Sequence, residues 1–237
     1  MKIGIISDTH DQTEICVRAI VILEKETPVV IHCGDFRKLS ILKMFQNRRF
    51  EFKYVKGNHD SIKTYLDPGA TVPADRVLEF TIGKLKFGAY HNTYDEGQRH
   101  SKVYESISSG KYDYFLYGHL HFFNVRFPTR ELRTVAINPG GMYIDGLYSF
   151  AILDLGKREV ELLTYYQGSF HSTLKVLLDQ GKITYDKKGR HVKEYLRNLE
   201  EYFYDKPSLN GQVWSEGDKE AWLNRRWNNE FRKIKLK

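Results

Sequence analysis

Cysteine is nearly missing from this 237-residue chain: Cys16 and Cys33 are the only two, and their spacing fits neither a disulfide framework nor a structural zinc site. Proline is scarce too, at six residues, and there are no internal repeats or low-complexity tracts, which excludes proline-rich and disordered architectures. No apolar stretch approaches the roughly 20 residues a membrane-spanning helix needs. Charged residues also arrive too early in "MKIGIISDTH" for a secretory leader. A reduced, cytoplasmic protein that stays off membranes is therefore expected. What remains is an ordinary globular composition, 41% hydrophobic and 28% charged, on a chain long enough to bury a full core.

Charge is uneven along the chain. Residues 168–237 hold 15 Lys+Arg against 10 Asp+Glu, and residues 1–167 hold 22 against 20. Basicity of this kind suits an anionic partner such as nucleic acid, and it equally suits a solvated surface.

Short β-branched or aliphatic runs recur at "KIGIIS", "VVIHC", "EFKYV", "VLEFTI", "LKFGAY", "YDYFLY", "TVAIN", "YSFAILDL" and "EVELLTYY" and read as strands. Between the first three lie helical stretches, one aligning Ile15, Ala19, Ile22 and Leu23, the other Leu39, Leu42 and Phe45. That alternation predicts a parallel βαβαβ start with right-handed crossovers. The later strands follow more closely and suggest hairpins and a second sheet packed on the first.

Polar clusters fall just past the ends of these runs: "SDTH", "CGDF", "GNHD", "YHNT" and "YGHLH". In open α/β sheets that edge is where ligands bind. Asp8, His10, Asp35, Asn58, His91, His119 and His121 together offer two carboxylates, one amide oxygen and four imidazoles, a set suited to borderline divalent cations. One ion cannot use all seven. Two can, if a carboxylate bridges them at roughly 3.5–4 Å, and Asp35, between the first and third strands, is the natural bridge.

The blocks Asp8-Thr9-His10, Gly34-Asp35, Gly57-Asn58-His59-Asp60, His91 and Gly118-His119-Leu120-His121, in that order, resemble the calcineurin-like metallophosphoesterase superfamily. The short core and "INPGG" look most like its small bacterial and archaeal phosphodiesterase branch, over roughly residues 1–166. The resemblance implies an α/β fold, a four-layer αββα sandwich of two sheets flanked by helices. It implies two divalent ions per chain, Mn2+ first and Fe, Ni or Zn as alternatives. The first ion goes to Asp8, His10, Asp35 and His121, and the second to Asp35, Asn58, His119 and His91. A hydroxide held between such ions attacks phosphorus in line and hydrolyses a phosphodiester, with a monoester as a further substrate. The branch usually carries His-Gly-His where this chain has His91-Asn92-Thr93, so one imidazole is missing. Many branch members have Cys in place of His59, which tilts this chain toward unactivated esters.

Within "GNHD", Gly57 is expected to let the chain turn sharply, Asn58 to offer an oxygen, and His59 to protonate the departing alkoxide. Asp60 either orients His59 or caps the next helix. Substrate contacts are expected from Asn58, His59, Arg37 and Asn138, with Arg99 as a second phosphate clamp; Asn138 equally suits a turn set by Pro139 and Gly140. His32, His100, His171 and His191 read as surface or capping residues.

The domain reading is a phosphoesterase unit over 1–167 and a basic, mostly helical extension over 168–237. Val192, Leu196, Leu199 and Phe203 share one helical face, and Leu223, Trp227, Phe231 and Ile234 another, with "SEGD" as a capping signal for the second. Trp214, Trp222 and Trp227 among arginines and lysines match either a packed stripe or a stacking surface for single strands. Three function classes follow. One is a small-molecule phosphodiesterase whose extension shapes access or a homo-oligomer interface. Another is a nuclease or nucleic-acid end-processing enzyme that grips its substrate with the extension. The last is a noncatalytic scaffold like the retromer subunit of this fold, which the intact ligand set argues against.

Overall fold

In the computed structural model, which describes residues 1–60, 77–91, 102–127 and 133–205, the first three runs pair in parallel as β1 (Lys2–Ile6), β2 (Val29–His32) and β3 (Glu51–Tyr54). The crossovers are α1 (Thr13–Glu26) and α2 (Leu39–Met44). β1 and β2 are covered on both faces, which is why they read as unbroken aliphatic runs. Residue parity sends Ile3, Ile5, Val29 and Ile31 into a core shared with a second sheet. It sends Ile6 and Val30 the other way, onto Ile15, Ala19, Ile20 and Leu23 of α1. Ile20 and Cys16 thus hold central positions on the helix face where Ile22, only partly buried, was expected.

The second sheet has the order β4 (Leu78–Ile82), β5 (Leu85–Tyr90), β6 (Tyr114–Tyr117), β8 (Val135–Pro139), β7 (Phe123–Arg126). β5, β6 and β8 run parallel, with β4 and β7 antiparallel at the margins. α3 (Lys102–Ser108) covers its outer face by packing Val103 and Ile107 with Tyr90, Phe115 and Tyr117. The layers are therefore helix, sheet, sheet, helix, the expected αββα sandwich.

The expected hairpins divide between the sheets: β4 and β5 form one in the second sheet, and the later ones return to the first. β9 (Ser149–Asp154), β10 (Glu159–Tyr166), β11 (Ser169–Leu177) and β12 (Lys182–Thr184) add antiparallel strands beside β1, giving the order β12-β11-β10-β9-β1-β2-β3. Residue 167 is consequently no structural break. Gln167 and Gly168, both at positive φ, turn a hairpin whose strands pair from Glu159 and Leu177 to Tyr166 and Ser169. The chain beyond it begins with strands rather than helix, because the mixed string "SFHSTLKVL" alternates exposure and burial across a bulge at Leu162/Leu163.

α4 (Arg190–Asp205) forms where a helix was expected and buries Val192, Tyr195 and Leu199. Tyr195 and Leu199 join the cluster that holds Leu162, Leu174 and Val176, so α4 lies beside the second sheet on the same face of the first. The expected helix near 217–236, its capping signal, its tryptophans and Arg99 fall outside the described residues. Among the described residues no helix is long and apolar enough to cross a membrane.

Candidate metal centre

The loops that follow β1, β2 and β6 share a backbone habit. Asp8 and His10, Asp35 and Arg37, and His119 and His121 all adopt positive φ, between 43° and 76°, two residues apart in each loop. Left-handed backbone is uncommon outside glycine, and it clusters where surrounding structure forces a side chain into place. Here the force is hydrogen bonding between loops. Asp8 N–H donates to the Gly34 carbonyl and His10 N–H to the Asp35 carbonyl, both at 2.9 Å. Buried His32 adds a second fastening: its Nδ1 accepts from Gly34 N–H at 3.1 Å, so its Nε2–H donates to Thr9 Oγ1 at 3.0 Å.

Two glycines are required by close approach. A Cβ on Gly57 would lie 2.0 Å from Asp35 Oδ1, and one on Gly118 would lie 2.1 Å from Ser7 Oγ and 2.7 Å from His91 Nδ1. The chain does turn at Gly57, whose carbonyl accepts from Asp60 N–H at 3.3 Å, but Gly57 is not among the described glycines at positive φ, so glycine is required there to let Asp35 in.

Each carboxylate is split between two tasks. Asp8 Oδ2 accepts from Ser7 Oγ at 2.5 Å and His119 N–H at 2.9 Å, while Asp35 Oδ1 accepts from His59 N–H at 2.8 Å. The remaining oxygens, Asp8 Oδ1 and Asp35 Oδ2, are buried and form no hydrogen bond among the described residues; both ring nitrogens of His10 are in the same condition. These orphaned atoms face one another. Asp8 Oδ1 lies 3.1 Å from His121 Nε2, and Asp35 Oδ2 lies 4.0 Å from His10 Nε2 and 3.3 Å from His91 Nε2. His91, fully buried, donates Nδ1–H to the Cys33 carbonyl at 2.6 Å, which turns Nε2 to Asn58 Oδ1 at 3.0 Å. Asn58 Oδ1 is in turn 3.1 Å from His119 Nδ1.

Burial acts on all these groups, and the neighbours decide the outcome. Against burial, His91 and His121 draw the Asp8 carboxyl below its ordinary value, and His91 does the same for Asp35. Burial lowers His10 to about 4 and His119 to about 4, with the carboxylates only partly offsetting it, so both imidazoles are neutral at pH 7. His32 falls to about 3 for the same reason. His91 goes the other way: burial would lower it, but Asp8 and Asp35 raise it to about 9. A proton on His91 thus partly stands in for a cation.

Buried donor atoms without partners, two of them anionic, are what a divalent ion satisfies, and the residues fit one. Asp8, His10 and His121 bring one ligand atom each within 4.8 Å of one another, as do Asp8, Asp35 and His91. Asn58 and His119 stand against the second group.

Two expected site residues take other roles. Asp60 accepts from the backbone N–H of Asp35 (2.9 Å), Gly57 (2.9 Å) and Arg37 (2.7 Å). Its described contacts therefore fix the bridging loop instead of orienting the His59 ring or capping a helix. Asn138 is fully buried, donating to the Gly118 carbonyl at 2.8 Å and accepting from Gly140 N–H at 2.9 Å. It braces two loops and does not face a substrate. Arg37 and His59 are exposed at the rim, with Arg37 Nη1 3.9 Å from Asp11 and the His59 ring 5.7 Å from that of His10.

The description of the calcineurin-like phosphoesterase superfamily domain matches residues 1–158. The chain belongs to that superfamily and is an enzyme of the phosphoester-hydrolase class. This phosphoesterase is 36% identical over 167 residues to phosphodiesterase MJ0936 of Methanocaldococcus jannaschii, an alignment spanning 67% of this chain and 96% of the relative. Among solved structures it is similar to a novel archaeal phosphodiesterase (TM-score 0.58, 32% identity, 68% of this chain and 98% of that one). It shares the fold with vacuolar protein sorting 29 of Cryptosporidium parvum at the same TM-score of 0.58, with 18% identity over 78% of this chain and 98% of that one.

The sequence reading of this phosphoesterase missed Ser7, His32 and Tyr143. Ser7 and His32 flank the motif residues and hold them, and only their position beside "DTH" and "CGD" hinted at it. The Tyr143 ring lies 4.5 Å from that of His10 and 4.9 Å from that of His121, on a segment that carries no motif.

Proposed function

We propose that this phosphoesterase hydrolyses a phosphodiester, and also a monoester, with two divalent cations, Mn2+ foremost. One observation carries the reading: two buried carboxylates each commit one oxygen to the loops and leave the other unpaired among nitrogen donors. Uncompensated buried charge costs several kcal/mol per ion, and paired cations remove that cost. Asp8, His10, Asp35 and His121 would hold the first ion, and Asp35, Asn58, His91 and His119 the second, with Asp35 shared between the two sets. Bound there, the cations supply Lewis-acid charge for the phosphoryl oxygens and acidify water.

The chain's own groups do the rest. Cys33 accepts the Nδ1 proton of His91, which leaves Nε2 as the coordinating atom. Ser7 and the His119 amide fix the rotation of Asp8, and the His59 amide fixes that of Asp35. Exposed His59 stands at the rim to give a proton to the departing alkoxide, a contribution of about 10²- to 10⁴-fold for poor leaving groups. Arg37 adds positive charge at the same rim for the incoming phosphate. A nucleic-acid end-processing role draws on the basic extension 168–237, of which residues 206–237 lie outside the described residues, and its test is whether DNA binding weakens steeply with salt.

Purified protein is expected to carry about two ions per chain and to cleave bis(p-nitrophenyl) phosphate only when loaded. Undiminished cleavage after exhaustive metal removal would refute the reading.

A further inference from the structure

Tyr143 is 51% exposed, while its neighbours Met142 and Ile144 are buried and partly buried. Isolated exposed apolar residues are common on protein surfaces. This one stands over two candidate metal ligands, at ring separations of 4.5 Å from His10 and 4.9 Å from His121, within the range of aromatic contact. Its segment is held at both ends. Met142 N–H donates to the Asp8 carbonyl at 2.9 Å, and Ser149 N–H to the Gly141 carbonyl at 2.9 Å. On the other side the Asn198 amide of α4 donates to the Gly146 carbonyl at 3.1 Å, and Gly146 sits so near that a Cβ would lie 2.4 Å from Asn198 Nδ2. The rigid aromatic face is therefore braced by the Asp8 loop and by the helix that follows the added strands.

We propose that Tyr143 is the specificity contact of this site and selects phosphoesters carrying a flat aromatic ring. The inference rests on the phosphodiesterase reading above. His10 neighbours both His59 and Tyr143, at ring separations of 5.7 Å and 4.5 Å, so an ester group beside His10 comes within reach of the tyrosine face. α4 thereby gains a role in substrate choice, through Asn198, without touching the metal ligands.

Binding to the Mn2+-loaded protein by titration calorimetry tests this without turnover, using methylphosphonate and benzylphosphonate, whose C–P bonds a phosphoesterase does not cleave. Benzylphosphonate is expected to bind about five- to tenfold tighter than methylphosphonate. Tyr143→Ala should erase that ratio by weakening benzylphosphonate more than methylphosphonate, whereas Tyr143→Phe should keep it. Equal affinities in the unsubstituted protein, or an equal loss of both ligands in Tyr143→Ala, would overturn the role of Tyr143 and leave the phosphoesterase reading standing. Failure of the unsubstituted protein to bind either phosphonate would instead overturn the metal-centre reading, and this inference with it.

Discussion

Just past β1 the chain buries Ser7, Asp8, Thr9 and His10 in a backbone that is left-handed at Asp8 and His10. Two and three strands along the same sheet, β10 and β11 bury Val160, Leu162, Leu174 and Val176 in regular antiparallel pairing. The first region breaks packing rules in the service of a charge: Asp8 Oδ1 and both His10 ring nitrogens are buried without a hydrogen bond among the described residues, and its loops hold one another by hydrogen bonds. The second follows the rules and supplies apolar burial. Stability and chemistry are therefore separable by position, and substitutions in the two regions should fail in different ways.

The sharpest contrast comes from the bridge. Asp35→Asn should lower diesterase activity by about 10³-fold or more. The metal-free variant should stay folded and melt slightly lower than the parent, because His91 outweighs burial and the Asp8 charge in holding the Asp35 carboxylate ionised, and that favourable pairing is gone. In the other region Leu174→Ala should cost about 2–5 kcal/mol of unfolding free energy in denaturant titrations and leave kcat unchanged. If Leu174→Ala abolished activity in the folded state, the separation would collapse.

His59→Ala should cost about 10²-fold with an alkyl leaving group and far less with p-nitrophenolate. Equal losses on both esters would remove the proton-donor role. His32→Ala should weaken metal affinity by about 10- to 100-fold, since Thr9 and Gly34 lose the ring that joins their loops.

The smallest effect is a proton. In the metal-free protein Asp8 and Asp35 outweigh burial and hold His91 near 9, so at pH 7 it is protonated and metal loading must release that proton. The release should vanish above about pH 9, and metal affinity should rise with pH up to that point. Calorimetry in two buffers of different ionisation enthalpy reads it directly.

The sandwich and the seven candidate ligands were legible because the aliphatic runs are central strands and each polar cluster sits at a strand end. The β11 strand was not, since "SFHSTLKVL" hides its apolar alternation behind serine, histidine and threonine and crosses a bulge. The partners of Asp60 were hidden for a different reason: composition shows that a residue is polar, but only tertiary contact shows that its partners are backbone amides, whereas the turn read at Asn138 does form, with Gly140 N–H donating to it. Tyr143 carries no motif, and its meaning comes entirely from the loop that seats it over His10.

Crystals grown with Mn2+ and measured at the manganese absorption edge test the centre most directly. Two anomalous peaks about 3.5–4 Å apart are expected. One should lie among Asp8, His10 and His121, the other among Asn58, His91 and His119, with Asp35 reaching both. Peaks elsewhere on the chain, or none in fully loaded crystals, would contradict it.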